Sequence, residues 1–323
     1  MCTAVTYHGA GNYFGRNLDY EHSFNESVTI TPRNYPLSFR KADPLYSHFA
    51  MIGMATVVSD YPLYFDATNE KGLSMAGLNF PDNAVYFPEV HGKDNITPFE
   101  LIPWILGQCS NTNEAIKKIQ QINLINISFN KAYPLTPLHW IIADPNHAIA
   151  VESTQSGIQI YDDPVGVLTN NPPFPYHIYN LTNYMHLTKE EPINCISTDI
   201  PLMPYSRGMG AMGLPGDYSS SSRFIKAAFI KLNSAKYATQ AESIRQFFHI
   251  LSSVAQIEGC VKVGNQYEKT IYSSCCNMDT GDYYYTTYSN SQITGISMNH
   301  IDLDCSELIS YPLDTTQRIR MEN

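Results

Sequence analysis

Strand-forming residues dominate the first quarter of the chain. Residues 2–7 and 13–17 are rich in β-formers and flank the glycine-containing stretch 8–12, which predicts a hairpin with a glycine-rich turn. Similar short runs predict four more strands, at residues 27–31, 50–58, 63–66 and 73–78. This part of the chain is therefore expected to be mostly sheet.

After this sheet region, the chain shows helix start signals and apolar residues at helical spacing. Thr97 can cap a helix that begins at Pro98, and Glu100 completes a capping box, so a helix is predicted to run to about residue 109. Further helices are predicted from 111 or 112 to 122 and at residues 176–186, 222–235 and 241–257. Further strands are predicted at residues 138–143, 148–153, 157–161, 165–168, 268–275, 283–288 and 292–298.

The order of these elements indicates the fold class. Runs of strands, then helices, then strands, without strict βαβ alternation, are typical of antiparallel sheets with helices on their outer faces. No linker divides the 323 residues. We therefore predict a layered α+β fold that forms one domain over residues 1–323.

Composition excludes several classes of protein. The chain is 43% hydrophobic and 15% charged, as a compact enzyme is, and its net charge of -10 with scattered Lys and Arg disfavours a nucleic-acid partner. Seven cysteines at irregular spacings favour reduced thiols. No secretory signal or membrane-spanning run is evident, so a cytoplasmic protein without membrane contact is predicted. No metal or cofactor motif stands out, and we predict neither group.

The second residue of the chain is a candidate nucleophile. If Met1 is removed, Cys2 carries both a thiol and a free amine. Their ordinary pKa values, about 8.5 and about 7.7–8.0, let one residue supply nucleophile and base near neutral pH. The alternative is an ordinary buried cysteine, because free cysteine usually behaves as a small hydrophobe.

Two charged residues near the end of the second predicted strand, Arg16 and Asp19, lie close to Cys2 if the hairpin pairs as predicted. A guanidinium lowers the pKa of a neighbouring thiol, and a carboxylate can orient an amine. The alternative for this pair is a surface salt bridge of little energetic value.

Three further polar residues extend this set. Asn79 and Asn170 each stand where a predicted strand breaks, and amide donors at such points can bind the oxyanion of an acyl-transfer intermediate. Arg223 stands in the first turn of a predicted helix, at the positive end of its dipole. That position predicts an anionic partner for Arg223.

These residues belong to motifs that resemble a known family. The motifs are Met1-Cys2-Thr3, Phe14-Gly15-Arg16-Asn17-Leu18-Asp19, Gly77-Leu78-Asn79-Phe80-Pro81, Thr169-Asn170, Leu214-Pro215-Gly216-Asp217 and Ser222-Arg223-Phe224. In this order and spacing they resemble the choloylglycine (bile salt) hydrolases, which are relatives of penicillin V acylase among the N-terminal nucleophile hydrolases.

The resemblance implies a fold and a role for each residue of the set. The implied fold is a four-layer αββα sandwich of two antiparallel sheets. Cys2 is then the nucleophile and its own amine the base, with Arg16 and Asp19 as the partners of thiol and amine. Asn170 and the N–H of Asn79 are the oxyanion hole, and Arg223 completes the polar set.

The implied reaction is hydrolysis of the amide between a bile acid and glycine or taurine. Acylases of the family typically have tyrosine where Asn79 stands, which favours bile salts over penicillin V. By family position the steroid pocket is formed by Leu18, Tyr20, Phe24, Tyr64, Phe65, Phe129, Tyr133 and Leu135. For each of these residues core packing is the alternative, and Leu18 stands where methionine is common.

The resemblance also bears on finer properties. The Ser206-Arg207 pair at the start of segment 206–210 resembles members that prefer glycine conjugates. Family members commonly form homotetramers. A soluble steroid- or lipid-binding protein with the same apolar loops is the non-enzymatic alternative.

Overall fold

Two large antiparallel sheets contain most strands of the computed structural model, which describes residues 1–323. The strands are β1 (Cys2–His8), β2 (Asn12–Tyr20), β3 (Ser27–Thr31), β4 (Met51–Val58), β5 (Tyr61–Asn69), β6 (Ser74–Asn79), β7 (Asp94–Ile96), β8 (Ile122–Leu124), β9 (Leu138–Ala143), β10 (Ala148–Thr154), β11 (Gly157–Asp162), β12 (Val167–Leu168), β13 (Val261–Val263), β14 (Gln266–Asn277), β15 (Asp282–Thr287), β16 (Asn290–Ser297) and β17 (Ile309–Pro312). The helices are α1 (Leu101–Gln108), α2 (Thr112–Ile119), α3 (Phe174–Asn180), α4 (Ser220–Asn233) and α5 (Gln240–Ser252).

The first sheet has the order β12-β1-β2-β14-β15-β16, and β13 pairs with β14. The second sheet has the order β11-β10-β9-β6-β5-β4-β3-β17. A small separate pair, β7 and β8, is parallel. The N-terminal hairpin thus lies inside the first sheet, because β12 and β14 cover its two edges.

The central strands of the second sheet are buried on both faces, whereas its edge strands β11 and β17 are not. Along β6, Ala76 and Leu78 pack into a core between the two sheets, whereas Met75 packs into a second core on the other side. Side chains alternate between the faces of a strand, so such a strand reads as nearly continuous apolar sequence.

The helices complete the layers. Phe224 of α4 and Phe247 of α5 belong to the core that they share with the first sheet. Leu101 of α1 and Ala115 of α2 belong to the core on the outer face of the second sheet. The predicted four-layer αββα sandwich of two antiparallel sheets is therefore confirmed.

Several predicted boundaries are wrong. The second helix ends at Ile119, because Ile122 begins β8 and pairs there with Asp94. The predicted helix over 176–186 is α3 followed by a 3-10 turn at Leu181–Tyr184, and α5 ends at Ser252 instead of reaching residue 257. Pattern alone also missed four short strands, β7, β8, β13 and β17.

Membrane-spanning helices are absent. Every helix of the described chain is too short or too polar to cross a bilayer.

Candidate active site

The N-terminal hairpin fixes the position of Cys2. Strands β1 and β2 pair with Cys2 opposite Leu18 and Ala4 opposite Arg16. Directly opposite residues project on the same face of an antiparallel pair, so Cys2 and Arg16 share a face and Asp19 lies on the other. The hairpin pairs as the sequence predicts, and it places Arg16 beside Cys2 on one face while the Asp19 side chain lies on the opposite face.

Arg16 is fully buried between the sheets. Its Nη1 donates to the carbonyls of Gly77 at 2.5 Å and Phe65 at 3.0 Å, which belong to the second sheet. Burial acts to lower the pKa of Arg16, but the Cys2 thiol and the Asp66 carboxylate outweigh it, and the pKa lies above its ordinary value. The guanidinium beside Cys2 is therefore charged.

Asp19 is also fully buried. Its Oδ1 accepts a hydrogen bond from the Thr270 hydroxyl at 2.6 Å. Burial raises the pKa of this carboxyl, and the positive charges of Arg223 and the N-terminus oppose that rise in part. Arg16 and Asp19 form no direct ion pair, so a surface salt bridge is excluded.

Asn170 connects the start of the chain with the second sheet. The N–H of Cys2 donates to Asn170 Oδ1 at 2.8 Å, and Nη2 of Arg223 donates to the same oxygen at 2.7 Å. On its other side, Nδ2 of Asn170 donates to the carbonyl of Asn79 at 2.7 Å. The two donors at Oδ1 settle the orientation of the amide, and its NH₂ group faces Asn79.

The backbone N–H of Asn79 points away from β9. Hydrogen-bonded and non-hydrogen-bonded pairs alternate along an antiparallel ladder, and the N–H of Phe80 donates to the Pro137 carbonyl at 2.8 Å. The adjacent pair, Asn79 and Leu138, is therefore of the non-hydrogen-bonded kind. In agreement, the N–H of Leu138 donates to the Tyr86 hydroxyl at 2.7 Å.

Arg223 binds neutral oxygens. Its Nη1 donates to the Cys2 carbonyl at 2.5 Å and to the Thr3 hydroxyl at 2.6 Å, and Nε donates to the Tyr218 carbonyl at 3.0 Å. The predicted anionic partner makes no direct contact, because four neutral oxygen acceptors satisfy the guanidinium. Burial lowers the pKa of Arg223, and the charge of Asp19 opposes this from farther away.

Two buried histidines, which the sequence pattern did not single out, hold the backbone at Asn170. Nε2 of His139 lies 2.8 Å from the Thr169 carbonyl, and Nε2 of His177 lies 2.9 Å from the carbonyl of Asn170 itself. A carbonyl only accepts, so both rings donate from Nε2. Burial lowers the pKa of His177 to about 4, and its ring is neutral at neutral pH. Neither histidine has a partner at a recognisable spacing, so no sequence signal marks them.

A cavity of about 720 Å³ opens beside Cys2. Cys2, Arg16, Asp19 and Asn79 line it, whereas Asn170 and Arg223 lie behind the nucleophile. All eight residues proposed for the steroid pocket also line it: Leu18, Tyr20, Phe24, Tyr64, Phe65, Phe129, Tyr133 and Leu135. A large, mostly apolar cavity with a few polar groups at a thiol suits an apolar acyl compound.

Metal-binding clusters are absent from residues 1–323, which contain no group of three or more His, Cys, Asp or Glu side chains suited to a metal ion. The chemistry that the site offers is that of a thiol, an amine after removal of Met1, and amide donors.

Comparison with known proteins agrees with this geometry. The model of the linear amide C–N hydrolases, choloylglycine hydrolase family, matches residues 2–311. A bile salt hydrolase/transferase of Lactiplantibacillus plantarum is 58% identical over 314 residues, which are 97% of this chain and 97% of that protein. A mutant conjugated bile acid hydrolase from Clostridium perfringens has a TM-score of 0.92 and 35% identity, with 100% of both chains covered.

A more distant structure shows the same fold. Penicillin V acylase from Agrobacterium tumefaciens has a TM-score of 0.77 at 18% identity, over 96% of this chain and 91% of that one. The family match covers nearly the whole chain and includes every residue of the polar set around Cys2. The chain thus belongs to the choloylglycine hydrolase family of linear amide C–N hydrolases.

Proposed function

We propose that the protein hydrolyses the amide bond of bile acids conjugated to glycine or taurine, with Cys2 as nucleophile. The observation that carries this proposal is the position of Cys2 at a cavity of about 720 Å³ with apolar walls. The names of the relatives from Lactiplantibacillus plantarum and Clostridium perfringens support the same substrate class.

Removal of Met1 creates the base. In the structure Met1 is attached, its ammonium contacts the Glu268 carboxylate, and it donates to the Asp19 carbonyl at 2.8 Å. The nitrogen of Cys2 is then a peptide nitrogen and cannot accept a proton. Cleavage of the Met1–Cys2 bond turns this nitrogen into an amine with an ordinary pKa of about 8, beside the thiol.

The reaction proceeds in two steps. The Cys2 amine takes the thiol proton, and Sγ attacks the amide carbon to give a tetrahedral oxyanion. The C–N bond breaks as the ammonium protonates the departing glycine or taurine, which leaves a bile-acid thioester. The amine then takes a proton from water, and hydroxide attacks the thioester. The C–S bond breaks as the ammonium returns its proton to Sγ, which releases the acid and restores the thiol and the free amine.

The surrounding residues have distinct roles in this scheme. The N–H of Asn79 and the amide of Asn170, which has a second N–H besides the one bonded to Asn79, stabilise the oxyanion. Arg16 places its positive charge beside Cys2, and Asp19 orients the amine. Arg223 fixes the Cys2 carbonyl and the Asn170 side chain relative to each other through its hydrogen bonds to both. The eight residues proposed for the steroid pocket bind the steroid.

A substrate panel tests the proposal. Protein of known N-terminal mass is incubated with glycocholate, taurocholate and penicillin V, and the release of amine is measured. We expect release from the bile salts by Met1-free protein, and none by Cys2→Ser or by protein that retains Met1. Cys195→Ser, at an exposed thiol, is the matched control.

Each outcome of the panel has a meaning. Normal turnover by Cys2→Ser would contradict the mechanism. Cleavage of penicillin V alone would show that the protein is a penicillin V acylase and not a bile salt hydrolase. Bile salt binding without turnover would favour the steroid-binding alternative. The ratio of glycocholate to taurocholate rates tests the predicted glycine preference.

We also infer one domain, a homotetramer and a cytoplasmic location. Strands of the second sheet contribute to both cores, which supports one domain over residues 1–323. Exposed apolar side chains concentrate between residues 185 and 205, which supports self-association. These residues are Met185, Ile193, Ile196, Met203 and Tyr205, each at least 80% exposed.

A further inference from the structure

One wall of the cavity is an irregular segment, residues 126–137, that joins β8 to β9. Its large apolar side chains are half-buried, and the residues between them are exposed. Phe129, Tyr133 and Leu135 of this segment line the cavity. The position of the segment therefore sets the width of the cavity.

The segment is bonded to the rest of the protein mainly at its ends. Within it, Asn130 Oδ1 accepts from the N–H groups of Ala132 and Tyr133, and the Ser128 hydroxyl accepts from Leu135. Between residues 127 and 135, one hydrogen bond comes from another part of the chain: Nη2 of Arg40 donates to the carbonyl of Phe129 at 2.7 Å.

Arg40 also packs on the aromatic part of this wall. Its Cζ lies 5.3 Å from the ring centroid of Phe129 and 5.9 Å from that of Phe99. The two rings meet edge to face, with centroids 5.2 Å apart, and both line the cavity. Stacking on two ring faces holds the guanidinium in place through cation–π attraction.

The backbone of Arg40 is itself anchored. Its N–H donates to Oε1 of Glu100 at 2.6 Å, and Oε2 of the same carboxylate accepts from the N–H of Thr97 at 2.9 Å. Glu100 is buried at the start of the helical region that packs on the second sheet. Arg40 thus connects a fixed point of the core to the middle of the segment.

We propose that Arg40 is a positioning residue for substrate size: it holds segment 126–137 against the cavity, so that a large apolar acyl group contacts Phe129 and Tyr133. The inference rests on the proposed function, because it concerns the acyl side of the same substrate. Without the guanidinium the middle of the segment has no hydrogen bond to the rest of the chain and keeps only the ring contacts of Phe129 with Phe99 and Tyr61, so the wall recedes. Binding of the steroid then weakens while the groups around Cys2 keep their places.

The test compares three variants. Arg40→Met keeps an apolar stem but removes the donor and the charge, Arg40→Lys keeps a charged donor, and Lys41→Met is the matched control. Lys41 pairs with exposed Glu89 and forms no hydrogen bond or ion pair with the segment. For each, KM and kcat are measured with glycocholate. Hydrogen exchange of residues 127–136 and binding of cholate to the Cys2→Ala protein are measured as well.

We expect Arg40→Met to raise both KM and the Kd for cholate by about tenfold, since a charged hydrogen bond and two ring contacts are lost. Its kcat changes by less than KM, exchange of residues 127–136 quickens, and Arg40→Lys recovers part of each effect. Lys41→Met matches the parent.

Unchanged KM, Kd and exchange in Arg40→Met would overturn the proposal, as would a loss of kcat at constant KM. If the parent cleaves no conjugated bile salt, the proposed function fails. Exchange and cholate binding still decide the role of Arg40 in that case.

Discussion

At the scale of single residues, the site is organised by Asn170. Its main-chain N–H donates to the Ser220 hydroxyl at 2.8 Å, its carbonyl accepts from His177, and both ends of its side chain are bonded. A side chain held at every polar atom does not have to reorganise when charge develops on the substrate. The geometry of the site therefore depends on the residues that hold Asn170 as much as on Cys2.

Asn170→Ala removes the oxygen that accepts from Cys2 and Arg223 together with the proposed oxyanion donor. We expect kcat for glycocholate to fall about 100-fold to 1,000-fold, the usual loss for one oxyanion-hole donor. Steady-state kinetics measure this, and the melting temperature shows that the protein is folded. Asn299→Ala, at an exposed site, is the control. A kcat within tenfold of the parent contradicts the role.

His177 gives stability a dependence on pH. Its pKa is about 4 in the folded protein and ordinarily about 6.5 when unfolded. Between these values the unfolded chain binds a proton that the folded one does not, so stability is complete above pH 6.5 and falls as pH decreases towards 4. Across this pH window the free energy of unfolding of His177→Gln is expected to fall by about 3 kcal/mol less than that of the parent protein.

Urea unfolding at several pH values between 4 and 7.5 measures this difference. His91→Gln changes an exposed histidine and should keep the slope of the parent. An equal slope for His177→Gln and the parent would show that His177 does not titrate as its burial predicts.

At the scale of elements, the close packing of β2 against β14 positions the N-terminal hairpin. The N–H of Arg16 donates to the Ser274 hydroxyl at 3.2 Å across these strands. At Gly15 the two backbones approach so closely that a Cβ would overlap the Ser274 carbonyl oxygen and lie 2.9 Å from the Cα of Cys275. Glycine is required here for space between strands rather than for its backbone conformation.

Gly15→Ala is expected to push β2 away from β14 and to destabilise the protein by about 1–3 kcal/mol, the usual cost of overpacking. Because Arg16 follows directly, activity should fall as well. Gly216→Ala is the control, since a Cβ there meets no atom within 4 Å. The free energy of unfolding is measured in denaturant. An equal value for Gly15→Ala and the parent would contradict the packing argument.

At the scale of the whole molecule, two sheets bury the site while one irregular region stays uncovered. The exposed apolar side chains between residues 185 and 205 lie outside both cores. Apolar side chains this exposed along one stretch of a folded protein, here called the patch of residues 185–205, favour an interface. The proposed homotetramer assigns this patch to contacts between copies.

Ile196→Asp combined with Met203→Asp places two charges in this patch. We expect the molecular mass in solution to drop from that of four chains towards that of one, because burying unpaired carboxylates is costly. Light scattering after size exclusion measures it, with Met321→Asp, an exposed residue near the C-terminus, as control. A parent protein with the mass of one chain would refute the tetramer.

Much of the fold follows from local pattern. The hairpin from Cys2, the capped helix near Thr97 and the main strands were predictable because each has a local period or start signal. The short strands were not, since β8 and β13 are three residues long and exist through their pairing partners. The helix predicted to residue 122 failed for the same reason.

The sequence by itself determined which chemistry this protein carries: a thiol at position 2, the arginines and amides of the motifs, and an alternation that imposes layered sheets. Only the tertiary structure decided what surrounds them. It placed neutral oxygens at Arg223, brought His139 and His177 to the carbonyls of Thr169 and Asn170, and bonded Arg40 to the wall segment at Phe129. Motif and period depend on residues that are near in sequence. Burial and hydrogen-bond partners depend on residues far apart along the chain, which come together only when the sheets stack.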